Sequence, residues 1–246
     1  LLDAASLESE SLGLAANLRR LHDQAFQLRN RLSVDQWSTI AQLLRQPQLN
    51  RPLSLFEGLA WLDQVILNCA TLAGYALDGM TRTTGFRFLS IGRRLERLRF
   101  LIVALRHACN HGRDAGLLWL LELCDSVITY RSRYMAQPEW LPVMDLLVRD
   151  ESNPRSLLFQ AIGIRDYLLK IEHLHGPCGS GLLDDGIALL FDLDVDTEFR
   201  PESVRLQRAL ALLQDACQTL HARLNKQFFT HPQLTVKVDR NLGGLA

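Results

Sequence analysis

The sequence predicts an all-α fold: a multi-helix bundle of mostly antiparallel helices with a short extended C-terminal tail. Three observations carry that prediction. Apolar residues recur at helical spacing along almost all of the 246 residues. Start and stop signals cut the pattern into segments joined by short connections, which sets consecutive helices antiparallel. Paired runs of alternating apolar and polar residues, the mark of hairpins, do not occur.

The elements follow in order. A first helix is predicted over 9–32. Ser33-Val34-Asp35-Gln36 reads as a capping box, in which the Ser hydroxyl and the Gln side chain satisfy each other's free backbone N–H groups. It opens a short helix to about 46. Pro47 and Pro52 bound a linker, and Ser54-Leu55-Phe56-Glu57 is a second capping box, opening a long helix to about 79. Gly85 turns the chain into another long helix over 86–109, ended by Asn110-His111-Gly112. Asp114 caps a helix to about 136, and Trp140 to Val148 forms a shorter one after Pro138. Asn153-Pro154 reads as an N-cap followed by Pro at the first helical position, where its missing N–H costs nothing, and starts a helix to about 173. His175-Gly176-Pro177-Cys178-Gly179-Ser180-Gly181 is the strongest break. A short helix over 182–191, an acidic loop and a long helix from Pro201 to about 229 complete a domain spanning 1–229. The tail, 230–246, carries Leu234-Thr235-Val236-Lys237-Val238, a single strand or extended arm.

Composition narrows the function classes. With 48% apolar residues, 51 of them Leu, the chain is neither disordered nor of low complexity. Its 27 basic residues balance 27 acidic ones, so nucleic acid is not an expected partner. Of those 27 cations 24 are Arg, the planar bidentate partner of carboxylates, and only Lys170, Lys226 and Lys237 are Lys. Five scattered cysteines without a CxxC pair argue against disulfides and structural zinc. The apolar runs, such as Phe100 to Leu105, fall well short of the roughly 18 residues of a membrane span, and no signal peptide is legible. A reducing, cytoplasmic setting away from membranes is expected. Because the sequence opens on Leu1 in mid-pattern, a longer parent polypeptide is expected too.

Chemistry concentrates in Gly92-Arg93-Arg94-Leu95-Glu96-Arg97. The helical row through Glu96 reads Leu89, Gly92, Glu96, Phe100, Val103, otherwise apolar, so Glu96 is expected to be buried. A buried carboxylate needs a cation or donors. Arg93 lies within reach, a partner on a facing helix is favoured, and Gly92 allows a close helix contact. One reading is a structural ion pair that fixes helix register, and another is an Arg/Glu pocket for an anionic or peptide-like ligand. A third makes Glu96 a general acid or base with a pKa raised by burial. The predicted 114–136 helix adds a mixed row of Asp125 and Arg133, with Tyr130, Arg131 and Tyr134 beside it, suited to a solvated face, an interface or a pocket. His107 and His111 have metal-compatible spacing but no completing acid, and His173, His175 and Cys178 offer only three zinc ligands. No metal site is assigned. Phosphate-loop, dinucleotide, hydrolase-elbow and zincin motifs are missing.

Gly85-Phe86-Arg87-Phe88-Leu89-Ser90-Ile91-Gly92-Arg93-Arg94-Leu95-Glu96-Arg97 resembles the Gly-Trp-x-Phe-Leu-x-x-Gly-Arg-x-Leu-Glu-Arg signature of the bacterial alpha-E domain family. Asp150-Glu151-Ser152-Asn153-Pro154-Arg155-Ser156 resembles that family's Asp-x-x-Asn-Pro-Arg-Ser motif, and Asp125 through Tyr134 is similar to the segment between them. The resemblance covers roughly 10–225. It implies a helical domain found beside, or fused to, a circularly permuted ATP-grasp ligase, with a role in ATP-dependent amide or peptide bond formation. It places ATP and Mg in the partner ligase domain and no cofactor in this chain. It also implies that an N-terminal helix related to Gly92–Arg97 lies upstream. The ligand-binding candidates on this reading are Arg93, Glu96, Arg97, Asp125, Tyr130, Arg131, Arg133, Tyr134 and Arg155. The ATP-grasp partner acts in cis or in trans, and a homo-oligomer stays open.

Overall fold

Two serines set helix starts in the N-terminal part of the chain. In the computed structural model, which describes residues 13–44, 54–111, 116–135 and 137–230, both predicted capping boxes form. Ser33 Oγ accepts from the Gln36 N–H while Gln36 Oε1 accepts from the Ser33 N–H, and Ser54 and Glu57 repeat the exchange. The described residues hold eleven α-helices and no strand. They fall into two compact units, Leu1–Arg82 and Thr83–Ala246.

The first unit contains α1 (Leu14–Gln27), a 3₁₀ turn (Arg29–Arg31), α2 (Val34–Leu43) and α3 (Leu55–Gly79). The single predicted helix over 9–32 is thus a shorter α-helix followed by a tighter turn. The start of the 9–32 prediction, the end of the 33–46 prediction and the Pro47–Pro52 linker lie outside the described residues. Leu18, Leu43, Trp61 and Val65 form a small core, flanked by Leu14, Leu44, Leu62 and Leu72.

In the second unit α4 (Thr84–His111) buries Ile91, Leu95, Leu98, Leu101, Ile102, Leu105 and Ala108. It packs along α8 (Leu157–His175) and against α11 (Val204–Leu224), and α11 in turn packs on α9 (Asp184–Asp192). Each fully buried Leu contributes about 1.5–3 kcal/mol, so this seam dominates the unit's stability. Between α4 and α8 run α5 (Leu117–Leu123), α6 (Val127–Tyr134) and α7 (Trp140–Met144), the last continued by a π turn over Asp145–Arg149. The Trp140 indole N–H donates to the buried Phe199 carbonyl at 2.7 Å.

Four sequence expectations change here. The predicted 114–136 helix is two helices, and its Asp114 cap lies outside the described residues. The break is a Schellman motif: the Ser126 N–H donates to the Leu121 carbonyl, the Asp125 N–H donates to that of Glu122, and Asp125 adopts φ +50°. Glycine usually holds that left-handed position, so an Asp there leaves no stop signal in the sequence. Second, α8 starts after Ser156, whose Oγ accepts from the Phe159 N–H at 3.1 Å, and not at Asn153-Pro154. Third, the acidic loop contains α10 (Val195–Glu198), capped by the Asp194 carboxylate at the Thr197 N–H. Fourth, the last helix begins at Val204 and ends in a π turn over Asn225–Phe229. The single strand or extended arm expected at Leu234–Val238 lies outside the described residues.

Candidate functional site

The register of α4 corrects the expectation for Glu96. Its side chain is 72% exposed, and its partner is Arg99 on the same helix at 3.2 Å. The row chosen from the sequence, Leu89, Gly92, Glu96, Phe100 and Val103, is the solvent side of α4. Apolar residues lie on both faces of this helix, so periodicity alone could not separate the two rows, and an exposed Leu or Phe is unexceptional. Gly92 makes no close helix contact among the described residues: beyond its neighbours and its own helix backbone, none of their atoms lies within 4 Å of where a Cβ would stand.

The close approach occurs instead at Gly163 of α8, where an added Cβ would sit 2.5–2.9 Å from the guanidinium of Arg94. Arg94 donates to the Gln160 Oε1 at 3.2 Å and to the Phe159 carbonyl at 3.4 Å. Its guanidinium carbon stands 4.8 Å from the Phe159 ring centroid and 5.8 Å from that of Tyr167. Gln160 is fully buried, and its Nε2 donates to the Pro154 carbonyl. Arg94 and Gln160 therefore join α4 to the turn before α8. Sequence reasoning passed over both, although a glycine in mid-helix was a legible sign of a close neighbour.

The Asp150–Ser156 turn is saturated with hydrogen bonds. Asp150 accepts from the Ser152 N–H and hydroxyl, each at 2.8 Å, and from Arg133, which also donates to Ser152 Oγ at 2.8 Å. Burial alone would raise the Asp150 carboxyl, but these donors outweigh it and hold it below the ordinary range. Asn153 donates to the Leu146 carbonyl at 2.9 Å and accepts from the Arg155 N–H at 3.0 Å. The Ser156 hydroxyl donates to the Asp150 carbonyl at 2.6 Å. Tyr130 is buried, with its hydroxyl donating to the Gln137 carbonyl and accepting from the Glu139 N–H. Tyr134 packs on it with ring centroids 4.8 Å apart. Burial, with the Asp145 carboxylate second, pushes the Tyr134 phenol up, and burial likewise raises Asp145.

Arg97 differs from all of these. It is half-buried, yet it makes no hydrogen bond or ion pair with any described residue. Burial lowers its pKa, and repulsion from Arg155, Arg93 and Arg94 lowers it further, against a smaller pull from Asp125. Asp125, held outward by its left-handed backbone, already pairs with Arg155 at 2.5 Å. Arg97 thus feels three other arginines, Arg155, Arg93 and Arg94, against one carboxylate, Asp125, an excess of positive charge on a cation whose donors are unused among the described residues. A carboxylate or phosphate oxygen would supply what they lack. Of the other candidates, Arg131 is exposed on α6, Arg133 is taken up by the Asp150–Ser156 turn, and Tyr130 and Tyr134 pack on each other, with Tyr130 bonded to Gln137 and Glu139.

No group of three or more metal-ligating side chains occurs among the described residues. His111 bonds the His107 carbonyl at 2.8 Å. Burial pushes the Cys109 and Cys178 thiols up to about 11 and those of Cys124 and Cys217 to about 12, which leaves them unreactive. Glu172, also unforeseen, anchors the glycine-rich break. Its Oε1 accepts from the N–H groups of Cys178, Gly179 and Ser180 at 2.7–2.9 Å, and its Oε2 accepts from the Ser180 hydroxyl. Gly179 adopts φ +116°, which strains any side chain, and an added Cβ would stand a tight 3.0 Å from Leu182 and from Leu220.

Residues 3–229 match the model of the Alpha-E family, described as a predicted alpha-helical domain with a conserved ER motif. Glu96-Arg97 is the one Glu-Arg dipeptide in this sequence. The chain is 30% identical over 186 residues to an uncharacterised protein of Mycobacterium bovis and to one of Mycobacterium tuberculosis strain CDC 1551, covering 71% of this chain and 20% of each relative. An uncharacterised protein of the H37Rv strain is 30% identical over 164 residues, 62% of this chain and 18% of that protein. The chain therefore spans about a fifth of the length of the curated relatives it matches. No solved structure matches it.

Proposed function

The chain belongs to the Alpha-E family, and from that premise we propose that it is an auxiliary helical domain of an ATP-grasp amide or peptide ligase system, holding an anionic group of the substrate at Arg97. One observation carries the anion reading: a half-buried Arg97 with no described partner, surrounded by three further arginines. A guanidinium left with unsatisfied donors loses hydration without compensation, and a bound carboxylate or phosphate restores it. Arg155, with Asp125 as its resident counter-ion, forms the second side of the site.

The ligase context rests on the resemblance of the Gly85–Arg97 and Asp150–Ser156 motifs to a family found with circularly permuted ATP-grasp domains. ATP and Mg belong to that partner on this reading, joined in cis or in trans. Among the described residues no helix is long and apolar enough to cross a membrane. A purely structural role accounts for Arg94, Arg133 and Tyr130 but leaves Arg97 unexplained. The acid–base reading of Glu96 lacks the burial it requires.

The test combines the chain with a circularly permuted ATP-grasp partner and follows phosphate release in the presence of an N-acetylated peptide bearing a free carboxylate. Arg97→Ala is expected to raise KM for that peptide about tenfold or more, the loss of one charged contact, at an unchanged thermal midpoint. Unchanged kinetics in a folded variant overturn the anion site. Failure of the wild-type chain to bind or stimulate the ligase overturns the partnership.

A further inference from the structure

The first unit holds a groove that is independent of the Arg97 cluster. It has a volume of about 800 Å³ and lies between the 3₁₀ turn and start of α2 on one side and the C-terminal part of α3 on the other. Arg31 and Asp78 both line it, and neither side chain makes a hydrogen bond or ion pair with any described residue. Opposite charges sharing one groove ordinarily close on each other when they can reach. Here each stays open to a partner that brings the complementary group. Asp78 also stands in the last turn of a 25-residue helix, where the dipole disfavours a carboxylate and favours a cation. Arg82 donates to the Ala76 and Leu77 carbonyls at 3.3 and 2.5 Å, and the Asp78 side chain has no ion pair among the described residues.

The wall between the two charges fits an extended polar chain. Tyr75, half-buried and with its hydroxyl unbonded among the described residues, offers a ring face and a phenol. Gly74 presents bare backbone, with nothing within 4 Å of its Cβ position. Ser33 and Gln36 each use a side-chain oxygen as acceptor in their capping box, which fixes both side chains on the rim. We infer that this groove binds a short zwitterionic peptide, with its carboxylate at Arg31 and its terminal ammonium at Asp78. A free amino acid would fill only part of the volume, and a short peptide fills more of it.

The experiment uses the whole chain carrying Arg97→Ala, which silences the anion site, and titrates trialanine by calorimetry or amide chemical shifts. Saturable binding is expected, with N-acetyl-trialanine and trialanine amide each weaker by about tenfold, the loss of one charge contact. Arg31→Gln and Asp78→Asn are expected to weaken trialanine to a similar degree. Asp78→Asn should also abolish the preference over the acetylated peptide, and Arg31→Gln the preference over the amide. Both side chains are exposed and unbonded, so thermal midpoints should stay within about a degree or two. No saturable binding of trialanine, equal affinity for the capped peptides, or affinity indifferent to both substitutions overturns the inference. None of these results touches the Arg97 site, because that residue is absent throughout.

Discussion

Arg94 and Arg97 lie three residues apart on α4 and meet opposite fates. Arg94 crosses to α8, lies over Gly163, bonds Gln160 and the Phe159 carbonyl, and stacks on two aromatic rings. Arg97 feels Arg155 and Asp125 electrostatically and finds no hydrogen-bond or ion-pair partner among the described residues. Both lose hydration through burial, which lowers both pKa values, but only Arg94 recovers it in hydrogen bonds. Residue type and depth are alike, so satisfaction is what separates a structural arginine from a candidate binding one.

The largest effect expected from breaking this contrast is at Arg94. Arg94→Ala leaves the Oε1 of a fully buried Gln160 without its donor and removes two cation–π contacts, a loss of about 2–4 kcal/mol in urea denaturation. Arg97→Ala should change stability by no more than about 0.5 kcal/mol while removing anion affinity. Equal destabilisation by the two would place Arg97 in the structural class.

Carboxylates allow a second, somewhat smaller version of the same comparison. Glu172 accepts four hydrogen bonds, whereas Glu96 faces water. Glu172→Gln should cost about 1.5–3 kcal/mol, since three backbone N–H groups lose a charged acceptor. Burial opposes ionisation of Glu172, but the Ser180 hydroxyl and the three N–H donors prevail and bring its pKa down from 4.5 to about 2. The unfolded chain therefore binds the proton more tightly. The stabilisation is fully present above about pH 4.5 and fades as pH falls toward 2. Denaturation midpoints of wild type and Glu172→Gln should be well separated at neutral pH and converge over that acid window. A constant separation would mean the carboxylate's charge is not what grips the loop.

Helix existence was legible almost throughout, because capping boxes and glycine breaks act locally. Ser33, Ser54 and the 175–181 break fell where local rules put them. What local rules could not show was how α4 is rotated. Its apolar residues occupy both faces, so the choice between the Leu95–Leu98–Leu101 stripe and the Glu96–Phe100 row depends on α8 and α11, which lie far away in sequence. The Asp125 break was hidden because an Asp does the work glycine usually signals. Residues of the cluster were legible by type, in the arginine excess and the Gly92–Arg97 motif. Which of them is satisfied depends on Gln160 and Gly163, more than sixty residues away.

The smallest effect expected is at Glu96. Consecutive residues on a helix point about 100° apart, and the two members of the Glu-Arg pair accordingly face different neighbours. Glu96 pairs with Arg99, and both influence Cys217 on α11, while Arg97 feels Arg155 and Asp125. An exposed pair three residues apart is worth about 0.2–0.5 kcal/mol and weakens with salt. Glu96→Gln should therefore shift urea midpoints by no more than that, with the difference vanishing in 1 M salt. Anion binding at Arg97 should stay unchanged. If ligase-coupled turnover collapsed in Glu96→Gln while stability and anion binding held, Glu96 would be acting on the reacting groups directly. The two residues of the motif would then be two halves of one site rather than a surface pair beside a binding arginine.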